Sequence, residues 1–171
     1  GPGHALPLVQ SLHAEFPDLT YDVTIKIEHL RKHAEALPIL RDTGCSFVVS
    51  AVEAVSEEIL QFLDKGHTRD DFVQVVQQMR QIGLPLTPTF VTFTPWTTLQ
   101  NYAEFLALMA ELDLVEAISP IQYAIRLLIP AGSRLLELAE VQALVRPYDQ
   151  SALVYPWNHP DPAVDDLYET V

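Results

Sequence analysis

The chain has 171 residues, 49% of them hydrophobic, which is enough to bury a core and too apolar for a disordered segment. Its 23 acids against 10 Lys and Arg give a formal net charge of −13, which argues against nucleic acid as a partner and reads as solubility. No apolar run approaches the ~20 residues of a membrane span, no charged-then-apolar leader opens the sequence, and the single Cys45 excludes a disulfide framework; the expectation is a cytoplasmic protein with no membrane partner.

Residues 4–16 carry Leu6, Val9, Leu12 and Phe16 at helical spacing, stopped by Pro17-Asp18. Residues 21–27 alternate Val23, Ile25 and Ile27 on one side, as a strand does. Residues 31–42 predict a helix with Gly44 as its left-handed cap, and 46–51 a short buried strand that begins just after Cys45. Ser56 is placed to cap a helix with Glu57 and Glu58 in its first turn. Thr68-Arg69-Asp70-Asp71 has the form of a capping box, after which Phe72, Val75, Val76, Met79 and Ile82 trace one apolar face to Gly83. Residues 84–93 predict a third strand, with Pro85 and Pro88 in its first half. Thr97-x-x-Gln100 predicts the next helix start, with Tyr102, Phe105, Leu106, Met109 and Leu112 as its inner face. Residues 114–122 predict a fourth strand, extended toward Ile129; 133–145 predict a helix, and 155–162 an irregular tail.

This α-β alternation implies a parallel sheet with right-handed crossovers. Chemistry in such sheets sits just past the carboxyl ends of the strands. Two apolar, β-branched runs here empty into polar clusters, Ser50 to Glu53 and Thr92 to Trp96. Four strands fall short of the eight in a complete β/α barrel, so the pattern predicts a partial barrel whose N-terminal βα units are missing.

Several of these segments resemble the radical S-adenosylmethionine (radical SAM) family, in its elongator and methylthiotransferase-like branch. The resemblance rests on Ser50-Ala51-Val52-Glu53, Glu58-Ile59-Leu60, Lys65-Gly66-His67-Thr68 with Phe72, Met79 to Leu84, Thr89 to Phe93, and Pro130-Ala131-Gly132-Ser133. Thr24 to His29, Phe93 to Thr98 and Arg126 to Pro130 are similar to a bacterial subgroup named for a Cys-containing Ala-Glu-Pro tail, although that tail is absent here. The resemblance implies that residues 1–146 form the C-terminal portion of a radical SAM partial barrel, with 147–171 an irregular extension. It implies S-adenosylmethionine and a [4Fe–4S] cluster as cofactors, with radical generation once the chain is joined to a cluster-binding part. The three-cysteine CxxxCxxC that ligates such a cluster is absent, so no metal site and no activity of the isolated chain are expected.

The resemblance assigns Ser50 and Glu53 to the ribose and methionine of SAM, where a carboxylate can accept hydroxyls or pair with an ammonium. Lys26 and Glu28 share one side of their predicted strand and are further cofactor candidates, with His29 beside them as an acid–base or substrate contact. Thr92, Thr94 and Trp96 are substrate-wall candidates, Trp96 also as a rim cover. Gln122 and Arg126 are candidates for an anionic group of SAM or substrate; Arg126, among Ile125, Leu127 and Leu128, needs a partner if buried. The substrate, small molecule or peptide, is not specified. Two other readings start from the same residues: a non-catalytic β/α binding domain that self-associates through exposed sheet edges, and an aldolase-like barrel with Lys26 as Schiff base.

Overall fold

A computed structural model describes residues 2–171. In chain order the elements are α1 (Pro2–Glu15), β1 (Tyr21–Thr24), α2 (Ile27–Lys32), α3 (Leu37–Asp42), β2 (Cys45–Glu53), α4 (Glu57–Phe62), α5 (Arg69–Ile82), β3 (Leu86–Phe90), α6 (Leu99–Glu111), α7 (Ala139–Leu144) and α8 (Pro162–Thr170). The three strands make one open sheet in the order β1-β2-β3. β1 runs parallel to β2, with Val23 beside Val48 and Thr24 beside Val49. The Val48 N–H donates to Pro85 and the Val91 N–H to Glu53, so pairing advances in the same sense along β2 and β3, which are also parallel. The mixed α/β fold is therefore a partial barrel of parallel strands with helices around it, as the alternation implied.

The chain divides into two units. The first holds residues up to Val52, Lys65–Thr89 and Leu112–Ile118; the second holds Glu53–Asp64, Phe90–Glu111 and Ser119–Val171. In the first unit, β2 buries Val48, Ser50 and Val52 completely, a period-two stripe. α5 buries Phe72, Val75, Val76 and Met79, and its capping box is formed: the Asp71 N–H donates to Thr68 Oγ1 at 3.1 Å and the Thr68 N–H to Asp71 Oδ2 at 2.9 Å. Gly83 closes that helix at φ 74°. Gly44, at φ 97°, turns into β2 against Leu19; a Cβ there would lie 2.5 Å from the Leu19 carbonyl oxygen, so only glycine fits.

Several boundaries differ from the sequence pattern, each for a local reason. β1 ends at Thr24, three residues early, although the Ile25 N–H still reaches Val49 O at 2.9 Å. Lys26 turns the chain into α2, because Ile27 and Leu30 bury together at helical spacing. Glu28 and His29 thus lie on a helix rather than at a strand end. The helix predicted over 31–42 breaks at His33 (φ −123°, ψ 41°), passes through a 3₁₀ turn at Ala34–Ala36, and restarts as α3. Pro38 needs no N–H partner in that first turn. The cap of α6 is Thr98 with Asn101, a reciprocal pair at 2.8 and 3.1 Å, one residue beyond the predicted Thr97 and Gln100. Its buried face includes Leu108 at 3% exposure, whereas Leu106 is 41% exposed.

The predicted fourth strand is not formed. Val115–Ala117 and Pro120–Tyr123 are 3₁₀ turns, and strand pairing survives only as a single parallel bridge, Phe93 with Arg126. Pro120 removes a ladder donor, and the Gln122 side chain takes the place of a neighbouring strand by accepting the Phe90 N–H at 2.7 Å. The helix predicted over 133–145 splits at the extended Leu138 into the 3₁₀ turn Arg134–Glu137 and α7. The tail is irregular through 155–161, held by isolated bridges such as Val145 with Trp157. It then forms α8, whose start is fixed by Asp161 accepting the Ala163 N–H and by Pro162 in the first turn.

The capping box makes a direct prediction. Thr68→Ala should cost about 1 kcal/mol of local stability, the usual worth of an N-cap. The readout is faster amide exchange at Arg69 to Phe72; unchanged exchange there would contradict it.

Candidate functional site

In the second unit the ends of β2 and β3 meet at Glu53 and Val91–Thr92. The Glu53 carbonyl accepts the Val91 N–H at 2.8 Å, which fixes the two rims side by side. Glu53 has φ 69°, a conformation uncommon for a residue with a side chain and one that clusters at functional sites. Glu53, Ser56, Ile59, Thr92, Asn101 and Tyr102 are among the lining of a cavity of ≈ 20 Å³. That volume holds about one water. Ser56 sits at the N-cap of α4 but makes no side-chain cap hydrogen bond, unlike the expectation for it.

The remaining second-unit candidates are tied into the scaffold. The Thr92 hydroxyl lies 3.3 Å from the carbonyls of both Gln122 and Ile125. Thr94 is fully buried: its hydroxyl meets Thr97 Oγ1 at 3.0 Å and accepts the Trp96 N–H at 3.3 Å. Thr97 Oγ1 in turn donates to Thr92 O and accepts the Thr94 N–H, so the loop after β3 is locked from within. Trp96 stacks on Phe62 at 4.3 Å and 8°, and packs on Ala54, Ile59 and Leu60 as a cover. Its indole N–H is buried with no hydrogen-bond partner among the described residues.

Arg126 is half-buried, and it has the partner its surroundings demand. The guanidinium donates to Asp165 Oδ1 at 2.8 Å and to Trp157 O at 3.0 Å, and lies 3.9 Å from the Trp157 ring centre and 4.9 Å from that of Tyr168. Asp165 also accepts the His159 N–H at 3.0 Å. This cluster ties α8 to the strand end; the pattern around Arg126 signalled a buried charge, but its partner 39 residues later left no sequence signal. Gln122, through its bond to Phe90, likewise serves the sheet.

In the first unit, Ser50 is fully buried, and its hydroxyl has no hydrogen-bond partner among the described residues. It shares the face of Val48 and Val52. Lys26, Glu28 and His29 are exposed. A Schiff-base lysine is normally desolvated, a condition Lys26 does not meet. Glu28 Oε2 lies 3.0 Å from where a Cβ on Gly66 would stand, so glycine in the Lys65-Gly66-His67-Thr68 turn admits α2. His29 faces His33 edge-on at 6.3 Å.

An iron–sulfur cluster does not fit the residues present. Cys45 is the only thiol in the sequence; it is buried, its Sγ lies 3.3 Å from Phe47 O, and burial raises its pKa, which disfavours the thiolate a cluster needs. Among the described residues no group of three or more His, Cys, Asp or Glu could hold a metal ion. No helix among the described residues is long and apolar enough to cross a membrane.

No family model matches the chain. The bacteriochlorophyllide d C-8(2)-methyltransferase of Chlorobaculum tepidum is 26% identical over 80 residues, which cover 46% of this chain and 17% of that protein. Among solved structures, the cobalamin-dependent S-adenosylmethionine radical enzyme OxsB, with aqua-cobalamin and S-adenosylmethionine bound, superposes with a TM-score of 0.79 at 14% identity, over 96% of this chain and 30% of its own. The radical S-adenosylmethionine methyltransferase TsrM from Kitasatospora setae gives 0.53 at 18% identity, over 63% and 22%. The coproporphyrinogen III oxidase HemN of Escherichia coli, a radical SAM enzyme, gives 0.56 at 14% identity, over 100% and 43%. The chain thus spans less than half the length of each. Its fold is that of part of a radical SAM barrel, as the sequence resemblance implied.

Both tryptophans lie in the second unit, so their fluorescence reports its unfolding. Removing Arg126 leaves Asp165 half-buried without its cation and loses two ring contacts. Arg126→Ala should therefore destabilise this unit by about 2 kcal/mol in urea, and Arg126→Lys should recover only part, because lysine lacks the fork. A change below about 0.5 kcal/mol, typical of exposed ion pairs, would contradict this role.

Proposed function

We propose that this chain supplies part of the S-adenosylmethionine-binding wall of a radical enzyme, with Glu53 as its principal polar contact. The observation that carries the reading is the superposition on OxsB over 96% of the chain, a structure with S-adenosylmethionine bound. The carboxylate suits the ligand: it can accept both ribose hydroxyls or pair with the methionine ammonium. The cavity beside Glu53 is water-sized, so in this reading the contact falls on the carboxylate rather than inside an enclosed pocket. Thr92 lies on the same rim, while Thr94, Gln122 and Arg126 hold the rim's shape.

The finer reading is a cobalamin-associated methyl-transferring enzyme, supported by the names of OxsB, TsrM and the Chlorobaculum tepidum methyltransferase. In such enzymes the hard chemistry belongs to the cofactors, and the protein contributes binding and orientation. No step through an iron–sulfur cluster is assigned to these residues, because they do not fit one. A substrate is not assigned.

Calorimetric titration tests the wall. S-adenosylmethionine should bind the 171-residue chain, and Glu53→Gln should weaken it about tenfold, the loss of one charge-assisted contact. Anaerobic reconstitution with iron and sulfide should leave no stoichiometric cluster absorbance. Equal affinity of the Glu53→Gln variant would remove the assignment.

A further inference from the structure

The loop that follows β3 carries a hydrogen-bond chain with one direction. Thr97 Oγ1 has a single hydrogen, which goes to the Thr92 carbonyl at 3.0 Å. The 3.0 Å contact between the Thr94 and Thr97 hydroxyls must then take its hydrogen from Thr94, which leaves Thr94 Oγ1 to accept the Trp96 N–H at 3.3 Å. Thr97 Oγ1 also accepts the Thr94 N–H at 2.9 Å, so this buried hydroxyl uses its donor and both its acceptor sites inside the loop. Together these bonds fix the backbone at Thr92.

The Thr92 hydroxyl has a fixed sense too. Its one hydrogen has two carbonyls to choose from, Gln122 O and Ile125 O, each at 3.3 Å, so toward the rim it offers lone pairs. Its neighbours on the cavity beside Glu53 are polarised the same way. Tyr102 donates to Tyr123 O at 3.0 Å, and burial raises its pKa, which keeps that hydrogen in place. The Asn101 side-chain amide points to Trp96 O at 3.4 Å. Ser56, whose hydroxyl makes no cap bond, is the exception. We infer that Thr92 is a specificity-determining hydrogen-bond acceptor of this rim, held in position by Thr97, and that the ligand group meeting it is a donor. The inference rests on the reading of the rim as a contact for S-adenosylmethionine, and it narrows which part of that ligand sits there. A ribose hydroxyl, the methionine ammonium and the adenine amine each bring a hydrogen. The methionine carboxylate brings none, and would meet lone pairs beside a second carboxyl group.

The test titrates the 171-residue chain with S-adenosylmethionine and with three analogues, each lacking one donor: the ribose hydroxyls, the ammonium or the adenine amine. Thr92→Val should weaken S-adenosylmethionine about tenfold, the loss of one contact, and Thr92→Ser should bind as the parent does. That loss should vanish for one analogue and persist for the other two, the mark of a direct contact, which a purely structural defect would not give. Thr97→Val should lower affinity in the same donor-dependent way, and Thr97→Ser should restore it. If Thr92→Val fails to fold, Thr92→Ala takes its place in the same cycle. No loss, or the same loss with all four ligands, would overturn the inference. Weak binding by Glu53→Gln beside parent-like binding by Thr92→Val would remove this inference alone. Parent-like binding by Glu53→Gln beside a donor-specific loss at Thr92 would remove the Glu53 assignment alone. No binding of S-adenosylmethionine by the parent chain would overturn both.

Discussion

Parallel pairing of three strands is the constraint on which the rest depends. It sends every strand toward the same rim, requires a long crossover between neighbours, and leaves two edges to be covered. The crossovers are α2 with α3, α4 with α5, and the covering face of β2 is the fully buried stripe of Val48, Ser50 and Val52. The rim is where Glu53 and Thr92 emerge. On β3, the Gln122 side chain accepts the Phe90 N–H.

The chemistry-bearing residues near the rim are mostly occupied with holding it. Thr94 and Thr97 lock the loop after β3, Trp96 covers an apolar cluster, and Arg126 anchors α8 through Asp165 and two aromatic rings. Glu53 stands at the end of a strand in a backbone conformation that side chains disfavour, and its carboxylate can meet hydroxyls or an ammonium. A rim built this rigidly favours a fixed ligand position, since positioning residues locked by their own hydrogen bonds lose little freedom on binding.

Strong local signals in the sequence survived folding. The Thr68–Asp71 box, the apolar face of α5 and the left-handed Gly44 and Gly83 are all written in short-range chemistry. The strand predicted over 114–122 failed because apolar content alone does not pair a strand; Pro120 and the Gln122 side chain settled the β3 edge by a tertiary contact. The strand end at Lys26 was misplaced because alternation in burial continues through Ile25 to Ile27 after the ladder has ended. The Arg126 partner lay in α8, a helix the Pro-rich approach concealed.

The central claim is that the Glu53–Thr92 rim contacts S-adenosylmethionine. Hydrogen exchange across the whole chain, with and without saturating S-adenosylmethionine, measures this most directly. The account predicts slowed exchange confined to the carboxyl ends of β2 and β3, at residues 53–56 and 90–94, with no change along α1 or the outer edge of β1. Protection elsewhere with none at those strand ends, or no protection at saturation, would contradict it.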